Sequence, residues 1–210
     1  DVDTDGSPDI IAFRTGSRIA AVDAAGTIKW ESATFGMMAY PQPAVADMDA
    51  DGDVEVVGDV GIVEGATGAT LGTITGLANS WRTPVIADID QDGEQEVILA
   101  NIVADMNGRT LWTNPGTGAG NFAAVADTDG DAGGEVFFVS GSTMYLHDDD
   151  GTLLSSGPIP GSNPGPPSVA DFDGDGQVEI AVPANTQITL FESDGTQVWS
   201  MPINDSSGLA

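Results

Sequence analysis

The sequence predicts an all-β protein built from five consecutive repeats. An Asp-rich nonapeptide occurs five times, and a glycine-centred turn occurs five times in phase with it, at intervals of 40 to 44 residues. Four short strands fit between successive turns, and this is the size of one propeller blade. Pro and Gly interrupt the chain too often for a long amphipathic helix. We therefore expect a β-propeller of about five four-stranded blades, with an Asp-rich calcium loop in each blade.

The Asp-rich loops have the spacing of calcium ligands. They read DVDTDGSPD, DMDADGDVE, DIDQDGEQE, DTDGDAGGE and DFDGDGQVE, and begin at residues 1, 47, 88, 127 and 171. A tightly turned loop points alternate side chains inward, and position 7 adds a backbone carbonyl, so oxygens surround one hard cation. The predicted metal-site residues are Asp1, Asp3, Asp5 and Asp9; Asp47, Asp49, Asp51, Asp53 and Glu55; Asp88, Asp90, Asp92, Glu94 and Glu96; Asp127, Asp129, Asp131 and Glu135; and Asp171, Asp173, Asp175, Gln177 and Glu179.

These loops are not EF-hands, and one of them differs from the rest. An EF-hand needs a Glu at position 12 and a helix on each side, whereas position 12 here is always apolar or Gly. Glycine at position 6 permits the sharp turn in four loops, but the fourth loop has Ala132 there. A single such loop would be interpreted as a solvated acidic turn, but five copies in phase favour calcium. We expect up to five Ca²⁺ ions, with the fourth site the weakest.

Strand signals flank each loop and each turn. A run of β-branched or aliphatic residues follows every loop, so each loop is expected to join two strands. The turn glycines are followed four residues later by Trp30, Trp112 and Trp199 in three of the repeats. Equivalent positions in successive blades predict that these rings pack between blades.

The segments around the loops resemble a known family. PAVADMDADGDVEVV, TPVIADIDQDGEQEVIL and PSVADFDGDGQVEIAV are similar to the FG-GAP/VCBS repeats of integrin-type β-propellers, and the resemblance covers essentially the whole chain. It implies that each loop links the first two strands of a blade and binds calcium through Asp1, Asp3, Asp5 and Asp9 and through their counterparts. Family members usually have seven or eight blades, so five is a departure.

The two ends of the chain are in phase with the repeat. Residues 207–210 followed by residues 1–6 would read SGLADVDTDG, which matches PSVADFDGDG at residues 167–176. We therefore treat residues 1–210 as a single repeat domain in which residues 207–210 complete the first blade. Three arrangements meet this condition: a ring closed by its own C-terminal strand, a head-to-tail assembly of chains, or an excerpt from a longer array.

Composition excludes several classes of partner. The net charge is -28, from 33 acidic and 5 basic residues, and 22 of the acids lie in the five loops. The sequence thus has no basic patch for a nucleic acid or an anionic membrane, and no apolar run of the length that membrane insertion needs. Cysteine is absent, so disulfide bonds cannot stabilise the fold and bound calcium is the available cross-link. Calcium loops favour an extracellular or cell-surface location, although the acidic surplus also fits a halophile.

A few residues are candidates for roles beyond structure. Residues that precede the loops would reach the rim of a propeller channel, where aromatic rings stack on sugars, although packing beneath the loop is the simpler interpretation. The lone histidine, His147, is expected in a solvated turn, and Asn204 begins a glycosylation sequon. The candidate rim residues are Tyr40, Gln42, Trp81, Arg82, Asn121 and Phe122.

All the chemistry identified in the sequence is directed at metal sites between strands. The leading hypothesis is therefore a non-enzymatic extracellular structural or adhesive propeller that associates with itself or occurs in tandem copies, with a carbohydrate or a cell-surface protein as a further partner. The alternative is a propeller that binds or cleaves acidic polysaccharides. A lyase would need Lys or Arg to neutralise a uronate, and Arg82 is the one base near the expected channel.

Overall fold

The computed structural model describes residues 1–36, 42–77, 83–116 and 122–203. These residues form β-strands joined by turns and loops, and no helix occurs among them, so none is available to cross a membrane. The strands are β1 (Ile10–Arg14), β2 (Arg18–Val22), β3 (Ile28–Glu31), β4 (Pro43–Ala46), β5 (Glu55–Gly58), β6 (Gly61–Glu64), β7 (Thr70–Thr73), β8 (Val85–Ala87), β9 (Glu96–Leu99), β10 (Ile102–Ala104), β11 (Thr110–Thr113), β12 (Phe122–Ala126), β13 (Glu135–Ser140), β14 (Thr143–His147), β15 (Leu153–Pro158), β16 (Ser168–Ala170), β17 (Glu179–Ala184), β18 (Gln187–Glu192) and β19 (Gln197–Pro202).

The strands form five antiparallel sheets in chain order. The first sheet is β1-β2-β3, and the others are β4 to β7, β8 to β11, β12 to β15 and β16 to β19, each with neighbouring strands paired in sequence order. The all-β prediction is confirmed, and the five sheets fit a propeller-like fold. The first sheet has three strands in the described part of the chain, and residues 207–210, predicted to complete it, lie outside that part.

The chain forms two compact units. Unit 1 contains Asp1–Ala87 and Gly93–Leu111, and unit 2 contains Asp88–Asp92 and Trp112–Ala210. Second strands are among the most buried elements, since β5, β9 and β13 are buried along their whole length. Their continuous β-branched runs suit a strand that is covered on both faces. Val56, Val63 and Trp30 belong to one core cluster of unit 1, and Phe137 and Ile180 to the core of unit 2.

Each predicted glycine turn is present, and its backbone explains the glycine. The turn glycines have φ between 71° and 87°, a region that residues with a Cβ rarely adopt. Each glycine N–H donates to a carbonyl three or four residues earlier, at 2.8 to 3.0 Å. The five glycines are Gly26, Gly68, Gly108, Gly151 and Gly195.

Tryptophans from one sheet cover the turns of the next. A Cβ built on Gly68 would lie 2.4 Å from Cε3 of Trp30, and Trp30 Nε1 donates to the Gly65 carbonyl at 2.7 Å. In unit 2, Trp112 covers Gly151 in the same way, and its Nε1 donates to a turn carbonyl at 2.8 Å. The predicted packing between blades is thus confirmed for these two rings.

The residue four positions after the turn glycine is smaller in the second and fourth sheets, and it is exposed in the fifth sheet. Gly72 lies against the backbone of the Gly108 turn, and Ser155 Oγ donates at 2.9 Å to a carbonyl of the Gly195 turn. Trp199 occupies the position in the fifth sheet, but 41% of it is exposed. The packing predicted for Trp199 is therefore not found in the described part of the chain.

A glycine under a tryptophan should tolerate a methyl group less well than a glycine in open space. We expect Gly68→Ala to lower the free energy of unfolding by about 2 to 4 kcal/mol, because a positive φ and a clash with Trp30 act together. Gly16→Ala is the matched control, since Gly16 also has a positive φ of 88° but meets nothing within 4 Å. It should cost about 1 to 2 kcal/mol. Equal losses in urea denaturation would contradict the packing explanation.

Candidate metal centres

Four of the Asp-rich loops connect the first and second strands of their sheets, as predicted, whereas the first loop precedes β1 in the described part of the chain. The second loop lies between β4 and β5, the fourth between β12 and β13, and the fifth between β16 and β17. In each of them the acidic residue at position 9 is also the first residue of the buried strand. Glu55, Glu135 and Glu179 are consequently 5%, 0% and 1% exposed. One carboxylate of each of these loops thus lies in the buried core of its sheet.

Backbone geometry is shared by all five loops at position 4. This residue has a positive φ in every copy, including three residues that are not glycine: Thr4, Ala50 and Gln91. The fourth and fifth loops place Gly130 and Gly174 there, with φ of 80° and 82°. This requirement at position 4 was not predicted, because three different residue types other than glycine occupy that position in the sequence. The fourth loop keeps a glycine at position 4 although it has Ala132 at position 6.

Backbone N–H groups of the protein itself orient several loop carboxylates. The N–H of Gly6, Gly52 and Gly176 donates to the first Asp of its own loop, at 2.8, 3.1 and 3.0 Å. The position 7 N–H donates to the Asp at position 5, at 2.7 to 2.8 Å in the first, second, fourth and fifth loops. These bonds hold the loop closed with its carboxylates clustered.

Carboxylate oxygens converge in these loops. In each of four groups, one oxygen from every member lies within 4.8 Å of the others. Such a cluster of like charges is repulsive unless a cation neutralises it. The groups are Asp1, Asp3 and Asp5; Asp47, Asp49 and Glu55; Asp127, Asp129 and Glu135; and Asp171, Asp173, Asp175 and Glu179.

Buried oxygens without a hydrogen-bond donor point to a ligand. One oxygen of Glu179 accepts the Phe172 N–H at 2.6 Å, and one oxygen of Glu135 accepts the Thr128 N–H. The other oxygen of each, Oε1, is buried and has no donor among the described residues, and the same holds for Asp47 Oδ1. A buried carboxylate oxygen without a partner is costly. The residues present therefore fit a hard, oxygen-seeking cation such as Ca²⁺.

The electrostatics of the second loop agree with this fit. Burial raises the pKa of Glu55, and the negative charges of Asp49, Asp51 and Asp47 raise it further, against the lowering effect of the Met48 N–H. A divalent cation would be the largest local charge and would reverse that balance. The ionised form of Glu55 thus needs a positive partner.

The first loop contains such a partner from the protein itself. Lys29 Nζ, on β3, lies 2.7 Å from Asp3 Oδ2, 2.8 Å from Asp5 Oδ2 and 2.9 Å from Asp9 Oδ1. Hydrogen bonds from Lys29 lower the pKa of Asp5 and Asp9, and the carboxylates of Asp3, Asp5 and Asp9 raise the pKa of Lys29. This contact was not predictable from local spacing, because Lys29 lies 20 residues beyond the loop.

The third loop and the side chains at position 7 complete the set of predicted ligands. The third loop is divided between the units, with Asp88–Asp92 in unit 2 and both Glu94 and Glu96 in unit 1, so a calcium site there stays a prediction. The side chains at position 7, Asp53, Glu94 and Gln177, are exposed. This agrees with a ligand role for the backbone carbonyl at that position. The weakness predicted for the fourth site also stays a prediction.

Most of the predicted ligand rim lies outside the described residues. This is true of Tyr40, Trp81, Arg82 and Asn121, and also of Asn204. Gln42 is exposed, and Phe122 on β12 packs against the core cluster of unit 2. Phe122 thus follows the packing interpretation.

The prediction for His147 was wrong. The side chain is 2% exposed at the end of β14, with Nδ1 3.0 Å from the Gly151 carbonyl oxygen and Nε2 3.1 Å from Asn114 Oδ1. Its ring centroid lies 5.3 Å from that of Trp112, and burial lowers its pKa. The adjacent acidic residues suggested a solvated turn, but the turn begins after His147. The histidine is a core residue of unit 2.

Comparison with known proteins identifies a fold but no family. No protein-family model and no curated protein sequence matches this chain. Its structure is similar to that of the V. cholerae biofilm matrix protein Bap1, with a TM-score of 0.72, 24% identity, and coverage of 97% of this chain and 38% of that one. BamB from Moraxella catarrhalis gives a TM-score of 0.62 at 18% identity, covering 93% of this chain and 61% of BamB.

A third similar structure is that of an enzyme. The rhamnogalacturonan lyase YesW gives a TM-score of 0.55 at 18% identity, covering 95% of this chain and 56% of YesW. The chain thus spans less than two thirds of each of these three proteins. At such identities the similarity shows the fold alone, and the fold agrees with five propeller-like sheets.

The orphan oxygen of Glu179 gives a direct test of the fifth site. We expect Glu179→Gln to weaken calcium binding at this loop at least about 10-fold, because the amide keeps the shape but loses the charge. Asp150→Asn, a charge-matched change in an exposed turn, should leave the titration unchanged. Isothermal titration calorimetry would measure both. If the two variants behave alike, the loss reflects net charge and not a ligand.

Proposed function

We propose that this chain is a calcium-stabilised, non-enzymatic β-propeller module of the FG-GAP/VCBS type, with a structural or adhesive role outside the cell. The observation that carries this proposal is the position 9 carboxylate of the fourth and fifth loops. One of its oxygens caps the loop backbone, and the other is buried without a donor among the described residues. A cation bound there would join the loop to the buried strand.

An extracellular location is supported by chemistry and by fold. Loops that depend on clustered carboxylates are best filled where calcium is millimolar, as it is outside cells. One protein of similar fold, Bap1, is a biofilm matrix protein. Both observations favour a matrix or surface role for this chain.

Calcium removal tests the structural role. A site filled at 100 times its dissociation constant stabilises the folded state by about 2.7 kcal/mol. Removing calcium from several such sites with a chelator should therefore lower the melting temperature by more than about 10 °C. Differential scanning fluorimetry with chelator, and then with excess calcium or magnesium, would measure this. An unchanged melting temperature would contradict the proposal.

Self-association is supported by the exposed face of the fifth sheet. Within the units, the residue four positions after a turn glycine lies against the turn of the following sheet in four cases. At the ends of the series, Trp199 is 41% exposed and a Cβ on Gly26 would meet nothing within 4 Å. Trp199 and the Gly26 turn are thus the two partners of this repeated contact that have no counterpart among the described residues of their own units.

A second residue of the fifth sheet supports the same docking face. Loop position 2 is buried in the first three repeats, as Val2, Met48 and Ile89, but Phe172 at this position is 51% exposed. Met48, for example, belongs to a core cluster with Val97 and Leu99 of the following sheet. We propose that the first sheet of a second copy of this chain covers Trp199 and Phe172, giving head-to-tail association.

Sedimentation velocity would test this association. Wild-type protein in calcium should show larger species as its concentration rises, and Trp199→Ala should reduce the association at least about 10-fold, as expected for an interface tryptophan. Leu154→Ala is the control, because Leu154 is 47% exposed on the outer strand of the fourth sheet. A wild-type protein that stays monomeric at high concentration would refute head-to-tail association.

The polysaccharide lyase remains the alternative. It rests on Arg82, which lies outside the described residues, and on a fold that some lyases share. Turnover of a uronic-acid polymer that is lost in Arg82→Ala would favour the enzyme over the structural module.

A further inference from the structure

The first loop differs from the others in what lies among its carboxylates. The Lys29 ammonium is within 2.9 Å of oxygens from Asp3, Asp5 and Asp9. The Asp9 side chain is 0% exposed and that of Lys29 is 19% exposed. An ammonium group has three donors, and here it has three carboxylate partners. It therefore fills the position that a cation would take.

The corresponding position in the other repeats is aliphatic. Lys29 follows the turn glycine Gly26 by three residues, and no other repeat has a base there. The equivalent side chains are exposed and uncharged, so they cannot neutralise their loops. They are Leu71, Leu111, Leu154 and Val198.

The inner oxygen of the position 9 carboxylate can be compared directly between the first loop and the others. In the first loop, Asp9 Oδ2 accepts the Val2 N–H at 3.1 Å, as the position 9 carboxylate accepts the position 2 N–H in the second, fourth and fifth loops. Asp9 Oδ1 lies 2.9 Å from Lys29 Nζ. The equivalent inner oxygens of Glu135 and Glu179 have no donor among the described residues. None of these three inner oxygens accepts a hydrogen bond of good geometry, but Asp9 Oδ1 has an ion-pair partner in Lys29, whereas those of Glu135 and Glu179 have none among the described residues.

The length of the position 9 side chain is consistent with this difference. The first loop has Asp at position 9, whereas the other four have Glu55, Glu96, Glu135 and Glu179. An aspartate is one methylene shorter than a glutamate, so its carboxylate reaches less far from the backbone. Lys29 Nζ, from β3, lies 2.9 Å from this shorter carboxylate.

We infer that Lys29 replaces calcium in the first loop, so that this repeat is held closed by a built-in cation and needs no metal. The inference rests on the proposal that the other loops bind calcium. To enter the first loop, calcium would have to displace an ammonium that already forms ion pairs with three carboxylates. The first loop should therefore keep its structure at calcium concentrations that leave the others empty.

Calcium stoichiometry tests this inference. Lys29→Leu gives the first repeat the residue type of Leu71, Leu111 and Leu154, and we expect it to bind one more calcium ion per chain than the wild type in equilibrium dialysis. Lys29→Arg keeps the charge and should bind the wild-type number. Arg109→Leu is the control for net charge, because Arg109 is an exposed base 76% accessible to solvent, and it should also leave the number unchanged.

A second measurement uses the wild-type protein and so does not depend on the folding of a variant. Hydrogen exchange of residues 1–9 should be the same in calcium and in chelator, while residues 47–55, 127–135 and 171–179 should lose protection in chelator. Greater exchange of residues 1–9 in chelator, equal to that of the other loops, would overturn the inference.

The outcomes separate this inference from the proposed function. If Lys29→Leu binds no additional ion while the wild type binds calcium elsewhere, the role of Lys29 is wrong and the proposed function stands. If the wild type binds no calcium and Lys29→Leu binds one ion, the proposed function fails and the role of Lys29 is supported. If neither protein binds calcium, both are overturned.

Discussion

The Asp-rich loops impose one constraint, which is that their clustered carboxylates must be neutralised. Several acidic side chains converge there because the loop turns tightly and points alternate residues inward. In the second, fourth and fifth loops, the carboxylate at position 9 is buried at the start of the second strand of its sheet. A charge in that place destabilises the fold unless a positive partner is present. The choice of partner therefore determines whether a repeat depends on metal.

This arrangement couples the loops to the packing of the sheets. The position 9 carboxylate caps the N–H of position 2, and position 2 contributes a side chain to the core in the first three repeats. Met48 shows the connection, because its N–H donates to Glu55 while its side chain lies among apolar residues of the following sheet. Filling a loop with a cation should thus stabilise contacts beyond the loop itself.

Local periodicity made the loops and the strand order predictable from sequence. Loop positions 1, 3, 5 and 9 lie within nine residues, so covalent spacing alone brings their carboxylates together. The contacts that were missed depend on residues distant in sequence or on burial. Lys29 reaches the first loop across a sheet, and His147 is buried by Trp112 from the preceding sheet. The exposure of Trp199 could not be predicted either, because the coverage of the equivalent Trp30 and Trp112 depends on contacts with turns about 40 residues away in sequence.

A crystal structure grown in millimolar calcium tests the central claim most directly, since anomalous scattering locates the ions. We expect a cation in the second, fourth and fifth loops, bound to the inner oxygen of the position 9 carboxylate, with the Lys29 ammonium in the first loop. Second, fourth and fifth loops without cations, whose inner carboxylate oxygens are hydrogen-bonded to water or to protein donors, would contradict the account.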